Sequence, residues 1–285
     1  RINMNNKKKR KRESIMKNLK ELYDYRQMIF SLVKKDLRGR YKGSALGFLW
    51  TFLNPLLQLV VYSIVFSTIF RNNIEKFYLY LFIGLLPWMF FSSSLTVGSV
   101  SVISSKDMVK KIYFPREVLP IAYVTSSFVN MLLCFLVVFI VMIIGGIDPN
   151  STFHWTALLY LPIVMIVEYV LALGFAMLAS ALTVYFRDLE HILGIITMAW
   201  MYATPILYDV SMIQNILVEK GMGNLMHLYM LNPMTPIIVA YHQILYYGQA
   251  PDMSTLLSAV VLGLFFLILG YLVFRKLQRG FAEEL

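Results

Sequence analysis

Six long apolar runs, nearly free of charge, fix what this chain can fold into: Ala45 to Phe70, Phe77 to Val100, Val118 to Ile144, Trp155 to Tyr185, Ile192 to Tyr208 and Leu256 to Phe274. All reach the roughly 17–25 residues that a helix needs to cross the hydrocarbon core of a bilayer. Backbone N–H and C=O groups find no water there, so only helices and closed barrels span membranes. Barrel strands alternate apolar and polar residues over short segments, and these runs do not alternate. The expected fold class is an all-α polytopic membrane protein with six transmembrane helices. Composition agrees, with 58% hydrophobic and 15% charged residues against about 45–50% and about 25% in soluble domains. The single cysteine, Cys134, lies inside an apolar run, so no intrachain disulfide can form.

A net charge of +10 would suggest nucleic acid as the partner of a soluble protein, but its distribution points to membrane insertion instead. Of the 26 Lys and Arg, 15 precede residue 43, four lie between the second and third spans (Lys106, Lys110, Lys111, Arg116), one follows the fourth (Arg187) and three follow the sixth (Arg275, Lys276, Arg279). Arg71, Lys76 and Lys220 fall on the other face. Basic residues stay cytoplasmic, so both termini are expected there, with no nucleic-acid partner. The residues ahead of Met4 read as foreign to the natural start. The basic beginning leads into an amphipathic stretch rather than a short apolar h-region, so no cleavable signal is expected.

Three segments outside the spans carry structure of their own. From Ser14 to Lys42, Ile15, Leu19, Leu22, Met28, Ile29, Leu32 and Val33 recur at helical spacing between Lys and Arg. Such a helix lies in the headgroup layer, as a simple anchor or as a contact for a partner or lipid headgroup. The run Lys7 to Arg12 reads as a solvated topogenic tail. Ser101 to Pro120 is too polar to span and holds enough apolar residues for a short helix ending near Pro115. It is either a connector or a handle by which a soluble partner moves the spans. On the opposite face, Asp209 to Thr255 contains Pro236 to Tyr247, an apolar piece too short to cross. A half-inserted element is expected there, with an amphipathic lid before it.

The chemistry that is missing narrows the function. No Gly-rich phosphate loop with Lys and Ser/Thr occurs, nor HExxH or CxxC, and His154, His191, His227 and His242 lack metal-ligand spacing. No catalytic, cofactor-binding or metal residues are expected in this chain. Glu168 alone is ionisable well inside a span, at a cost of about 2.5–3.5 kcal/mol if charged at the centre. It must face a protein interior or polar cavity, as a structural group or a substrate contact. A proton- or ion-coupled transporter usually carries more such groups and internal repeats. An intramembrane polymerase or acyltransferase would need a cluster of catalytic groups. Neither pattern is visible. Phe48, Trp50, Phe52, Tyr62, Tyr202 and Tyr208 sit beside Thr51, Asn54, Gln58 and Thr204, as a pore wall contacting sugar rings requires; interfacial belts and packing explain aromatics equally well.

Five stretches together are specific enough for a family comparison: RGRYKGSALGFLWTFLNPLLQLVVYSIVFSTIF (Arg38 to Phe70), KKIYFPREVLP (Lys110 to Pro120), VYFRDLEHIL (Val184 to Leu193), ATPILYD (Ala203 to Asp209) and LNPMTPIIVAYHQILYYGQAPD (Leu231 to Asp252). From about Arg38 to Arg279 the chain resembles the permease subunits of ABC exporters of lipid-linked polysaccharides, which include O-antigen, capsule and wall teichoic acid exporters. The first 13 residues share little with them. The resemblance implies a homodimeric permease paired with two copies of a separate ATPase that binds ATP and Mg. It divides the chain into residues 1–43, a basic cytoplasmic tail and amphipathic interface helix, and 44–285, the six-span domain with outer re-entrant half-helices.

By the same resemblance, Lys106, Lys110, Lys111, Tyr113, Phe114, Pro115, Arg116 and Glu117 form a coupling element docked on the ATPase, and Arg187, Asp188 and Glu190 a second contact. The substrate implied is a polyprenyl-diphosphate-linked glycan or teichoic acid polymer, moved out of the cytoplasm of a bacterial cell across its inner membrane. A lateral opening near the first span is expected, with Arg38, Arg40 and Lys42 at its mouth as attractors of the diphosphate or as topogenic charges only. Channel candidates are Trp50, Asn54, Gln58, Tyr62, Glu168, Tyr202 and Tyr208. The strongly basic start suits an anionic inner leaflet and leans slightly toward teichoic acid as cargo. The alternative within the wider family is an ABC permease for a drug or small lipid.

Overall fold

The computed structural model describes residues 20–40, 42–65, 74–144 and 154–285, which are helices joined by short turns, without a strand among them. In chain order the helices are α1 (Arg26–Gly39), α2 (Trp50–Ile64), α3 (Phe77–Ser99), α4 (Lys106–Lys111), α5 (Val118–Ile144), α6 (Leu161–Tyr185), α7 (Leu189–Tyr202), α8 (Val210–Glu219), α9 (Leu225–Met230), α10 (Thr235–Tyr241), α11 (Met253–Leu277) and α12 (Phe281–Glu284). Among the described residues, five helical stretches are long and apolar enough to cross a membrane: Gly47–Ile64, Phe77–Ser99, Val118–Ile143, Trp155–Tyr185 and Met253–Glu284. The basic run Lys7–Arg12, the start of the expected amphipathic helix (14–19), the end of the expected first span (66–70) and Arg71 lie outside the described residues.

Sequence pattern decides which helix is central. The sequence of α3, FYLYLFIGLLPWMFFSSSLTVGS, is apolar on every side, and a helix hydrophobic all round belongs in the interior. Leu81, Phe82, Ile83 and Phe91 are fully buried, and α2, α5, α6 and α7 pack around α3. Peripheral α2 and α11 turn Leu57, Val60 and Val61, and Leu264, Phe265 and Ile268, outward. A second apolar cluster closes one end of the bundle, where Val109, Phe114, Val118, Val184, Phe274 and Phe281 meet.

The tightest contact is between α6 and α11, which run in the same direction. Val167 faces Gly263, Gly174 faces Gly270, and the Tyr185 hydroxyl donates to the Leu277 carbonyl at 2.9 Å. Lipid tails are as apolar as Leu, so helices associate in a membrane through van der Waals packing at small residues. A Cβ on Gly174 would stand 2.5 Å from the Leu267 nitrogen, and one on Gly270 would overlap the Gly174 carbonyl oxygen. On another side of α6, Ala176 packs so closely on Gly98 of α3 that a Cβ there would lie 2.9 Å from its own.

Two elements differ from the sequence expectation. Over the expected span Ile192–Tyr208 the helix is α7, of 14 residues, or about 21 Å at 1.5 Å per residue, short of the roughly 30 Å of hydrocarbon. It stops ahead of Pro205, which has no N–H to give and disfavours helix at Thr204; the Thr204 hydroxyl instead bonds back to the Trp200 carbonyl at 2.9 Å. The segment still connects the two ends of the bundle, from Tyr185 beside Leu277 to Tyr208, whose carbonyl accepts from Tyr80 at 3.1 Å. The short helix expected to end near Pro115 is α4, which stops at Lys111 because Ile112 is extended (φ −129°, ψ 136°). Pro115 disfavours helix at the preceding residue, so the chain stays extended up to it. The apolar piece Pro236–Tyr247 forms the buried helix α10 and a π turn, His242–Tyr246, and the chain leaves it through Gly248 at φ 63°.

The glycine contact predicts a stability test. Gly270→Ala is expected to cost about 1–3 kcal/mol by overpacking, lowering the melting temperature of the detergent-solubilised protein. Gly194→Ala, whose Cβ meets nothing within 4 Å, should cause no loss in the same fluorescence-detected scan.

Candidate functional site

The residues expected to couple this chain to a partner gather at the end closed by the second apolar cluster. Phe114 plugs that cluster and is buried, while its neighbour Tyr113 is 84% exposed. The loop therefore alternates a root and a tip. Lys106, Lys110 and Lys111 project from α4 as exposed side chains. Arg116 turns inward: its guanidinium donates to the Gln278 carbonyl and sits 5.9 Å over the Phe281 ring. Glu117 is buried and accepts from the Gln278 amide at 3.1 Å. Pro115, just ahead of both in the chain, lines with them a groove of about 870 Å³. Arg187, Asp188 and Glu190 are exposed at the start of α7, on the same end of the bundle but outside that groove.

The three cations expected at the first span separate. Arg38 and Lys42 stay exposed, at the edge of a mainly apolar groove lined by Phe30, Val33, Leu37 and Phe48. Arg40 folds inward and pairs with Asp36 at 2.9 Å, and the same guanidinium reaches the Ser127 hydroxyl at 3.1 Å while Ser126 donates to Asp36. This knot fastens α1 to α5, two turns inside a spanning helix. It borders a small cavity of about 160 Å³ whose lining mixes Thr51, Asn54, Ser93 and Asn130 with apolar Leu86 and Met131.

The channel candidates also divide. Asn54, Gln58 and Tyr202 are exposed, Trp50, Tyr62 and Tyr208 partly so. The indole of Trp50 donates to Ser44 at 2.9 Å, and the Tyr208 hydroxyl donates to the Tyr202 carbonyl at 3.0 Å. Glu168 is not with them. It is fully buried, and its Oε2 accepts from the Tyr241 hydroxyl at 2.6 Å, joining α6 to α10. Phe135 stacks on the Tyr241 ring at 5.6 Å, so the pair sits in protein rather than along an exposed wall.

At the opposite end, Asn232, His242, Asp209 and Tyr247, none of them among the expected site residues, hold the segment that follows α7. Asn232 accepts from the Trp200 indole at 2.9 Å and donates to the Ala203 carbonyl and the Thr204 hydroxyl, at 3.1 and 3.0 Å. It thereby fixes the end of α7 where Pro205 has interrupted the backbone ladder. His242 stacks on Tyr80 at 3.7 Å and bonds its carbonyl at 3.0 Å. Asp209 caps α8 by accepting from the Ser211 N–H at 2.8 Å, and Tyr247 donates to it at 3.0 Å. Burial pushes the Asp209 carboxyl up, but these hydrogen bonds outweigh it and hold the group below the usual carboxylate range. The Asn-Pro and Thr-Pro pairs of LNPMTP were the sequence signal for this turn; which groups Asn232 would satisfy was not readable from them. Asn232→Ala removes the acceptor of the half-buried Trp200 indole N–H and loosens the α7 end. It is expected to cost about 1–3 kcal/mol, read as a lower melting temperature and faster protease cleavage between α8 and α9.

Comparison with known proteins bears on the whole bundle. Residues 27–246 match the ABC-2 type transporter family. The chain is 34% identical over 267 residues to the O-antigen export system permease protein RfbA of Myxococcus xanthus, covering 94% of this chain and 98% of that protein. It is 31% identical over 268 residues to the protein of the same name from Klebsiella pneumoniae, covering 94% and 97%. The matched region runs from α1 through the π turn after α10. The chain belongs to the ABC-2 type transporter family, as a multi-pass membrane permease similar to these O-antigen export subunits.

Proposed function

We propose that this protein is the permease of an ATP-driven exporter that carries a polysaccharide of the O-antigen class, linked to a polyprenyl diphosphate, from the cytoplasm to the outer face of a bacterial inner membrane. The observation that carries the reading is similarity to O-antigen export permeases over 94% of the chain. The relatives' names favour O-antigen over teichoic acid cargo. A drug or small-lipid permease has no comparable support.

In this reading α7 and the turns over Ala203–Tyr208 together make a sixth crossing, and both termini lie in the cytoplasm with the basic loop. The buried α10 and its π turn are a re-entrant element at the outer exit. Two copies of the chain pair with two copies of a separate ATPase, which binds ATP and Mg. The permease supplies the path and a handle. Exposed Tyr113, Lys110 and Lys111 meet the ATPase, while Phe114 anchors the handle in the bundle so that a push on the tip reaches the spans. Arg38 and Lys42 attract the diphosphate at the lipid-facing groove.

A mild-detergent pull-down of the tagged chain from its own membranes tests this. A stoichiometric ATPase subunit and ATP hydrolysis are expected, together with surface polysaccharide in the intact cell. Lys110→Gln with Lys111→Gln should weaken the ATPase contact about tenfold, the equivalent of ~1.4 kcal/mol. A chain that purifies alone, with unaltered surface polysaccharide when its gene is removed, overturns the proposal.

A further inference from the structure

The groove behind the coupling loop has a wall that none of the expected coupling residues supplies. One side is Val109 to Glu117. The other is the last turn of α11 and the segment after it, including Arg275, Gln278, Arg279 and Ala282, and Glu21 and Leu22 close the end. The two sides are fixed to each other. Phe281 is fully buried in the apolar cluster with Phe114 and Val109, Arg116 donates to the Gln278 carbonyl, and the Gln278 amide donates to Glu117 at 3.1 Å. The C-terminal wall is in turn tied to α6, since the Tyr185 hydroxyl donates to the Leu277 carbonyl at 2.9 Å. A Cβ on Gly280 would overlap that hydroxyl, so the backbone turns against it. The C-terminal segment is therefore built into this end of the molecule rather than trailing from it.

Charge indicates what the groove receives. Lys110 and Lys111 on one wall face Arg275 and Arg279 on the other, with Glu21 and the already bonded Glu117 as the carboxylates of the lining. Among the described residues, none of these four cations forms an ion pair with a carboxylate, unlike Arg40 with Asp36. Cations left unpaired on two facing walls favour a negatively charged insert and repel a basic one. Exposed Ile112 and Tyr113 at the lip add the apolar and aromatic area typical of an interface core.

Resting on the reading of the chain as an exporter permease, we propose that the C-terminal segment Arg275–Ala282 is the second wall of the ATPase docking groove, and that the occupant is an acidic element of the ATPase subunit. The loop and the C-terminal segment grip that element from two sides. A displacement of the ATPase then acts on α11 and α6 directly as well as on the loop.

The test uses the intact transporter and thiol labelling. Cys134 is buried, so Ala282→Cys offers an accessible thiol on the wall, and Val218→Cys on α8 serves as a distant control. Bound ATPase subunit is expected to slow maleimide labelling of Ala282→Cys about tenfold or more, leave Val218→Cys unaffected, and restore the rate when it is stripped by salt. Arg275→Glu with Arg279→Glu should release the ATPase at lower salt than the unaltered transporter, with the melting temperature of the isolated permease unchanged as the check on folding. Equal labelling of Ala282→Cys with and without the ATPase overturns the proposal. If Lys110→Glu with Lys111→Glu still releases the subunit in that case, the loop contact survives and only the second wall is lost; if it does not, the exporter reading fails with it.

Discussion

The close backbone contact between α6 and α11 is the constraint on which the rest of the structure depends. Without a hydrophobic force between helices in lipid, two spans stay together only where their surfaces approach closely enough for dispersion to outweigh contact with acyl chains. Gly174 and Gly270 give that approach, with Gly263 against Val167 at the same sequence offset. Because α6 also carries Ala176 against Gly98 of α3, one helix sets the distance to both the central and the peripheral span. Everything at the basic end inherits this geometry, since Tyr185 at the foot of α6 holds Leu277 at the foot of α11.

The two ends of the bundle are stabilised by different physics. At the basic end, an apolar plug of Phe114, Phe274 and Phe281 carries polar bonds on its surface, from Arg116 and Gln278. Such a plug resists separation yet leaves charged side chains free at the rim. At the tyrosine-rich end, hydrogen bonds from Tyr80, Asn232, Tyr246 and Tyr247 tie loops and short helices to the spans. Backbone groups near the membrane need partners, and here long phenol side chains and an asparagine provide them where helix continuity fails at Pro205. Glu168 belongs to the same economy: with Tyr241 as its donor, it spends its polarity on holding α10 to α6.

Much of this was legible in the residue order. The all-helical class, the placement of five long helices, the amphipathic α1 and the short helix before Pro115 all follow from run length, period and proline position. The apolar piece Pro236–Tyr247 was too short to cross, and it is a short buried helix with a π turn. The shortness of α7 was not legible, because hydropathy continues through Ala203–Tyr208 after the backbone has left the helix. Hydropathy registers side chains, whereas Pro205 acts on the main chain. The splitting of Arg38, Arg40 and Lys42 was equally hidden: three cations at alternate positions look alike until Asp36 and two serines of α5 select one of them.

The sequence by itself determined that the chain must live in a membrane, that it must be helical, and which of its segments stay polar. These follow from local composition and the cost of unpaired backbone in hydrocarbon, which needs no knowledge of neighbours. Only the tertiary structure decided that Arg275, Gln278 and Arg279 share a groove with a loop some 160 residues earlier, and that Glu168 is turned toward Tyr241. Those pairings depend on which helices touch and in what register. That is set by close packing of small residues across the whole bundle, a property no single stretch of sequence contains.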